Sequence, residues 1–376
     1  MTIRYGGFNL KTVFAVVVLT ATGLVVLLSF KVHLRGSSVS SGGNKRIFEG
    51  SGEDAKVHVH KFNIRGNDII VFLHLQKTGG SKFGLQLVKN LDIERPCRCS
   101  RPRKSRNGQI APTTPKVKYK RVCHCLRPGS SKIWLFSRHN LGWPCGLHAD
   151  WTEHKECVPK YMNKREGRNK QWKFYYVTII REPVSRFLSE FSFVGYMGTM
   201  WRAATLRCNG RSPTKKELPM CFARENLSNI TLDEFMNCPW NLAINRQTRM
   251  LADLRLVNCY NTSGMSTSKR NNIMLKSAMK NLEEMTYFGL VEYQTESQYL
   301  FEKTFGLKFF VPFTQVTESE TKAGEILPTL NNSVLDQIKN LNSLDLQLYK
   351  FAKNLFFKRI TYFKETGRIK KKQHTE

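Results

Sequence analysis

The amino-acid sequence predicts an α/β domain, and three observations carry the prediction. Short apolar runs that read as strands alternate along the chain with amphipathic segments that read as helices. Two of those strands end abruptly in polar, glycine- or proline-marked turns that open helices. Of the 376 residues, 41% are hydrophobic and 11% aromatic, enough for a packed core, so bulk disorder is excluded. The length fits one large domain with appendages.

The elements follow in chain order. Residues 13–30 (VFAVVVLTATGLVVLLSF) hold no charge and meet the lower length for a membrane-spanning helix. A cleaved signal peptide is the alternative, but Ser29-Phe30-Lys31 makes a poor small-x-small cleavage site. Basic residues flank the span on both sides, so charge leaves its orientation open. Residues 1–12 are then a cytoplasmic tail, and residues 31–67, rich in Ser, Gly and charge, a flexible stem. The main domain is expected over 68–364. Strands are predicted at 69–75, 174–180 and 286–291, and an exposed basic loop at 102–120. Thr231 and Glu234 form a candidate capping box. A long helix is predicted over 343–364, followed by a basic tail at 365–376.

Ten cysteines lie between Cys97 and Cys259, and Asn-x-Ser/Thr sequons occur at Asn226, Asn229, Asn261 and Asn331. Together they point to a secretory-pathway lumen. Cys97/Cys99 and Cys123/Cys125 have one residue between them, too few for a structural zinc pair, so disulfides are favoured. Local pairing would give Cys208–Cys221 and Cys238–Cys259, although connectivity cannot be read from sequence. The net charge, 60 − 29 = +31, calls for a polyanionic partner. The lumenal signals argue against nucleic acid.

The chemistry is concentrated at the two strand ends. The first strand runs into Gln76-Lys77-Thr78-Gly79-Gly80-Ser81, and a helix is predicted over 82–90. Glycines let backbone N–H groups turn toward a phosphate, and the helix start adds its positive dipole end. Lys77 and the Thr78 and Ser81 hydroxyls would complete an anion site. Lys77 precedes the glycines, so this is not a Walker A loop. An ordinary strand–turn–helix is the plain alternative. The second strand ends in Arg181-Glu182-Pro183, with Pro183 near a helix start and Ser189 on that helix. A guanidinium and a hydroxyl there suit a second phosphate. Two such sites suggest a nucleotide with phosphates at both ends.

With these segments the chain resembles the Golgi sulfotransferases that use 3′-phosphoadenosine 5′-phosphosulfate (PAPS), and more closely the heparan sulfate 6-O-sulfotransferase family. The closer likeness rests on Trp134-Leu135-Phe136-Ser137-Arg138, on the stretch from Gly142 to Glu153, and on Asn241-Leu242-Ala243 with Asn245-Arg246-Gln247. Tyr299 to Phe305 and Pro312-Phe313-Thr314-Gln315 add to it. The resemblance covers roughly residues 69 to 360.

It implies a P-loop-like sulfotransferase fold with a central, mainly parallel sheet flanked by helices, behind an N-terminal transmembrane helix in the Golgi membrane. It also implies site roles. Leu75, Gln76, Lys77, Thr78, Gly79, Gly80 and Ser81 would hold the phosphosulfate end of PAPS, and Arg181 and Ser189 its 3′-phosphate. Thr314, Gln315, Val316 and Lys322 match a later cofactor-binding stretch. Arg121, Arg138, Trp143, His148 and Trp201 would face the sugar. His148 would be the base and Lys77 the cation that stabilises the transferred group and the leaving phosphate. Phe193 departs from the pattern, where a polar substrate contact is expected. Trp143 and Trp201 could instead be core residues, and Arg138 a plain surface charge. His124, His139 and His154 read as structural or exposed.

The implied reaction moves a sulfuryl group to the 6-hydroxyl of glucosamine in heparan sulfate, and the scheme requires no metal. Sulfuryl transfer, like phosphoryl transfer, asks for in-line positioning and stabilisation of spread negative charge. Three alternatives remain at this level: a lumenal kinase, a sulfotransferase for another glycan position, and a non-enzymatic heparin-binding membrane protein. A kinase should show a metal-binding acid motif, and none is evident. The pure binder would not need both phosphate motifs.

Overall fold

The computed structural model describes residues 57, 59–100, 122–167, 171–223 and 226–373. The predicted anchor at 13–30, most of the stem, the basic loop at 102–120 and Arg121 lie outside the described residues. Among the described residues, no helix is long and apolar enough to cross a membrane.

The centre is a four-stranded, all-parallel sheet. Its strands are β1 (Asp68–Phe72), β2 (Leu135–Phe136), β3 (Lys173–Ile180) and β4 (Tyr287–Leu290), in the order β2-β1-β3-β4. β1 pairs with β3 from Asp68↔Lys173 to Phe72↔Val177, and β3 with β4 from Val177↔Tyr287 to Ile180↔Leu290. All of β1 and β4 and the last five residues of β3 are buried. Burial on both faces explains why these strands read as continuous apolar runs rather than alternations. The three predicted strands are present. The first ends at Phe72 rather than residue 75, but Leu73 stays tied to β3, donating to the Val177 carbonyl at 2.9 Å.

Helices cover both faces: α1 (Gly80–Lys89), α2 (Trp151–Glu166), α3 (Pro183–Met197), α4 (Arg246–Leu251), α5 (Thr267–Glu284), α6 (Gln294–Phe305) and α7 (Ser343–Gln373). α7 buries Leu344, Leu348, Ala352, Leu355, Phe356, Ile360 and Phe363, and its Phe356 ring meets Phe288 of β4 at 6.2 Å. It runs nine residues beyond the predicted end at 364, so the supposed basic tail is helical as far as Gln373. No proline interrupts that stretch, and its single glycine, Gly367, costs only about 1 kcal/mol. The capping box is as predicted, with Glu234 N–H donating to Thr231 Oγ1 at 3.1 Å and Thr231 N–H to Glu234 Oε2 at 2.8 Å.

Two further expectations need correction. The stem does not extend to residue 67. His60 and Phe62 donate backbone hydrogen bonds to Thr304 and Phe305, and the buried Phe62 ring sits edge-on to Trp134, Tyr175 and Phe305. Phe62, with Ile64 packed against the same core, brings this segment into the domain. The later cysteines also pair differently, as Cys208–Cys259 and Cys221–Cys238. Loop-closure entropy rises only slowly with length, so nearness in sequence is a weak guide and the fold decides. The other bridges are Cys97–Cys125, Cys99–Cys123 and Cys145–Cys157. The first two pin the antiparallel ribbon Arg98–Ser100/Val122–His124.

Candidate active site

The site lies at the C-terminal ends of β1 and β3. After β1 the chain passes through buried Leu75, Gln76 and Thr78 and turns into α1. Lys77 (φ 63°) and Gly79 (φ 73°) are both left-handed, a conformation that costs roughly 1–2 kcal/mol for a residue with a Cβ. Thr78 Oγ1 donates to the Leu75 carbonyl at 3.2 Å and locks the turn. A Cβ on Gly80 would collide with the His74 ring, so only glycine lets backbone and ring approach so closely. No side chain caps the start of α1. Its first N–H groups therefore face the loop with the positive end of the helix dipole.

At the end of β3, Gln247 of α4 clamps the Arg181 backbone from both sides, accepting from its N–H at 2.9 Å and donating to its carbonyl at 2.8 Å. The Arg181 guanidinium reaches the Lys77 carbonyl, Glu318 Oε1 and Thr321 Oγ1, each at 3.4 Å, while its buried Nε has no partner. Glu182 caps α3 through the Val184 and Ser185 amides, with Pro183 in the first turn and the buried Ser189 in the second. Gln315 fastens its segment beside the loop: it accepts from Gln294 N–H at 2.9 Å and donates to the Val291 carbonyl at 3.3 Å. A Cβ on Gly79 would stand 3.3 Å from the Val291 side chain. Thr314 is exposed and Val316 half-buried. Lys322 follows Thr321, and its exposed ammonium pairs with Glu325 at 2.8 Å.

The remaining predicted residues close a circuit. Arg138 donates to Ser81 Oγ at 2.6 Å, and its guanidinium lies 5.5 Å over Trp143. The Trp143 ring is 4.7 Å from that of His148, and His148 is 5.5 Å from Trp201, edge to face. Trp201 stacks on Phe193 at 4.8 Å, and the Lys77 ammonium sits 4.9 Å from the Phe193 ring. Lys77 in the loop and Ser81 in the first turn of α1 are four residues apart, so the glycine-rich turn and the histidine share a rim. Trp143 and Trp201 are only half-buried, which sets them apart from the fully buried core Trp134. Arg138 is likewise not a free surface charge.

Burial dominates the electrostatics. It lowers the His148 pKa to about 3; a contact to the His74 carbonyl opposes the shift, while Arg246 and Arg138 add to it. His148 is therefore a neutral imidazole in the free protein. Its Nδ1 faces the His74 carbonyl at 3.4 Å, which leaves Nε2 for a ligand. Asp150 is not its orienting partner: the carboxylate caps α2, accepting from Glu153 N–H at 3.0 Å, and burial raises it to about 7. Burial also lowers the Lys77 pKa, with Glu190 acting against the shift and Arg181 and Arg186 with it.

Five contributors, Glu190, Arg186, Arg246, His74 and Phe193, were given no role by sequence reasoning beyond the departure of Phe193 from the family pattern. Glu190 is fully buried and pairs with Arg186 at 2.5 Å and with Arg246, whose Nε donates at 2.7 Å. The Arg246 guanidinium backs Trp201 at 5.1 Å. His74 stacks between Phe72 and Trp143. Phe193 is the apolar spacer between Lys77 and Trp201. A hint existed in the Arg186/Glu190 spacing of four on a helix and in Arg246 within the Asn-Arg-Gln stretch.

A parallel sheet whose strand ends carry a glycine-rich turn with an uncapped helix start and a buried arginine, beside a neutral histidine, has the layout of a group-transfer enzyme. The sulfotransferase family matches this chain over residues 60–352. Heparan-sulfate 6-O-sulfotransferase 3-B of Danio rerio is 48% identical over 307 residues, 82% of this chain and 68% of that protein. Heparan-sulfate 6-O-sulfotransferase 2 of Gallus gallus is 47% identical over 317 residues, covering 84% and 72%. Heparan-sulfate 6-O-sulfotransferase 3 of Homo sapiens is 48% identical over 307, covering 81% and 60%. The chain belongs to the heparan-sulfate 6-O-sulfotransferases of the sulfotransferase family.

Proposed function

We propose that the protein transfers a sulfuryl group from PAPS to the 6-hydroxyl of glucosamine residues in heparan sulfate, with His148 as the base. The observation that carries this reading is the closed circuit from Ser81 through Arg138, Trp143, His148, Trp201 and Phe193 to Lys77, which sets an imidazole across from an anion cradle. The residues present fit PAPS. Glycines stand where the backbone approaches closely, the start of α1 is uncapped, and the buried Arg181 keeps an unpartnered Nε. When bound, PAPS supplies the sulfuryl group for an in-line displacement.

This chain's own residues do the rest. Lys77 and the α1 amides stabilise negative charge at the loop in a partly desolvated setting, where such contacts act most strongly. Arg181 and Ser189 hold the far phosphate. Arg138, Trp143 and Trp201 orient the sugar. His148 Nε2 takes the proton of the attacking hydroxyl, a group far too weakly acidic to ionise unaided.

Five disulfides and four sequons support a Golgi-lumenal domain on a type II single-pass anchor at 13–30. Asn226, Asn229 and Asn331 are exposed, as glycan acceptors require, and Asn261 is half-buried. The test is incubation of the lumenal domain with radiolabelled PAPS and heparan sulfate, followed by disaccharide analysis. Label at glucosamine C6 is expected. Label on uronate, or none, would overturn the reading.

A further inference from the structure

Trp201 has a second neighbourhood. The ring meets His148, but the residue also lines a cleft of about 200 Å³. That is smaller than clefts that enclose a whole ligand, roughly 300–1,000 Å³, as expected of a subsite that takes one part of a longer chain. Its walls include Arg202, Met220, Phe222 and Trp240. Met220 is 66% exposed and Trp240 38%, an unusual outlay of apolar surface beside a reaction centre.

The walls are tied in place. Cys221, itself part of the lining, is bonded to Cys238, two residues before Trp240. Asn241 donates to the Phe235 carbonyl at 2.6 Å and fixes the turn that presents Trp240. Leu227 N–H donates to the Gly198 carbonyl at 2.9 Å across the far side. The backbone thus holds Trp240 half in solvent instead of letting it collapse inward. Among the described residues that line the cleft, none is acidic, and the exposed Arg202 adds a cation.

We infer that this cleft is an acceptor-chain subsite that takes a sugar unit next to the one being sulfated. The inference rests on the functional reading above and extends it. A polymeric acceptor whose reacting sugar lies against His148 and Trp201 must continue past Trp201, and the cleft begins there. Indole faces suit the C–H faces of pyranose rings, and Arg202 suits a sulfate or carboxylate.

The experiment compares Trp240→Ala with wild type on heparan sulfate oligosaccharides of graded length, with PAPS saturating. For octasaccharides the KM should rise roughly five- to tenfold, the usual scale for truncating an aromatic anchor. For the shortest accepted oligosaccharide, and for PAPS, the KM should be unchanged. Arg202→Ala should show the same length dependence more weakly and stands in if Trp240→Ala fails to fold. Equal octasaccharide KM in wild type and both variants would overturn the subsite. Equal KM with lost binding to anionic phosphatidylserine vesicles would assign the cleft to a membrane surface and also overturn it. A wild-type protein that labels no C6 position defeats the functional reading itself, a result visible before any variant is compared.

Discussion

Arg181, assigned to the 3′-phosphate, is already engaged by an anion. Its Nη2 lies 3.4 Å from Glu318 Oε1, with the two side chains 8% and 41% exposed. A phosphate that takes the Nη2 side of Arg181 meets that carboxylate, so Glu318 competes with the nucleotide there. Glu318→Gln keeps the size of the side chain and removes the charge. A pair with one partner this open to solvent is screened, and its worth is about 0.5–1 kcal/mol. At about 1.4 kcal/mol per tenfold, the variant should bind PAPS, or the product that has lost its sulfuryl group, roughly two- to fivefold more tightly. Calorimetric titration measures this directly. The control is adenosine 5′-phosphosulfate, which lacks the 3′-phosphate and should bind both proteins equally. The gain should shrink as salt rises. Equal tightening for both nucleotides would mean a general charge effect, and weaker binding of the 3′-phosphorylated nucleotide would mean that Glu318 holds it instead of opposing it. Either result refutes the competition.

His148→Ala should lower kcat by roughly 10²–10⁴, the range for losing an acid–base group, with PAPS affinity near wild type. Because burial keeps His148 neutral down to about pH 3 in the free protein, kcat/KM should show no acid limb near 6.5 that vanishes in the variant; such a limb would contradict the burial. Lys77→Ala should abolish transfer while the thermal midpoint stays close to wild type, and Arg181→Ala should chiefly weaken PAPS binding; unchanged affinity would remove Arg181 from the donor site. Stability should fall with acid. His139 and His154 are lowered to about 4, His148 to about 3, and His74 well below its ordinary value, all chiefly by burial. The unfolded chain then binds protons near 6.5 that the folded chain refuses, so the stability present above that pH is lost as pH falls toward 3–4, by at most about 1.4 kcal/mol per unit for each buried imidazole. Asp150, raised to about 7, works the opposite way, as do Glu153 and Glu292, also raised by burial, three groups against four. A melting midpoint that stays level from pH 7 to 5 would show that these rings are not buried.

Some features needed nothing beyond the sequence, because they depend on neighbours along the chain. The turn from Gln76 to Ser81, the helix start at Pro183 and the Thr231/Glu234 box arise from glycine freedom, proline φ and capping, all local interactions. The strands at 173–180 and 287–290 were visible as continuous apolar runs because both sheet faces are covered. Arg138, Trp143, His148 and Trp201 were legible only through the family likeness, since nothing local says that residues up to 63 positions apart share a rim. Tertiary structure alone decided the rest. It chose Cys259 over Cys221 as the partner of Cys208, drew Phe62 out of the supposed stem, and buried the ion triad of Arg186, Glu190 and Arg246 behind Trp201. It also set the protonation of His148, because a pKa depends on desolvation and on charges that arrive from distant segments. Residue types and their local order determine which chemistry is on offer, whereas burial and the meeting of remote side chains determine which groups can use it.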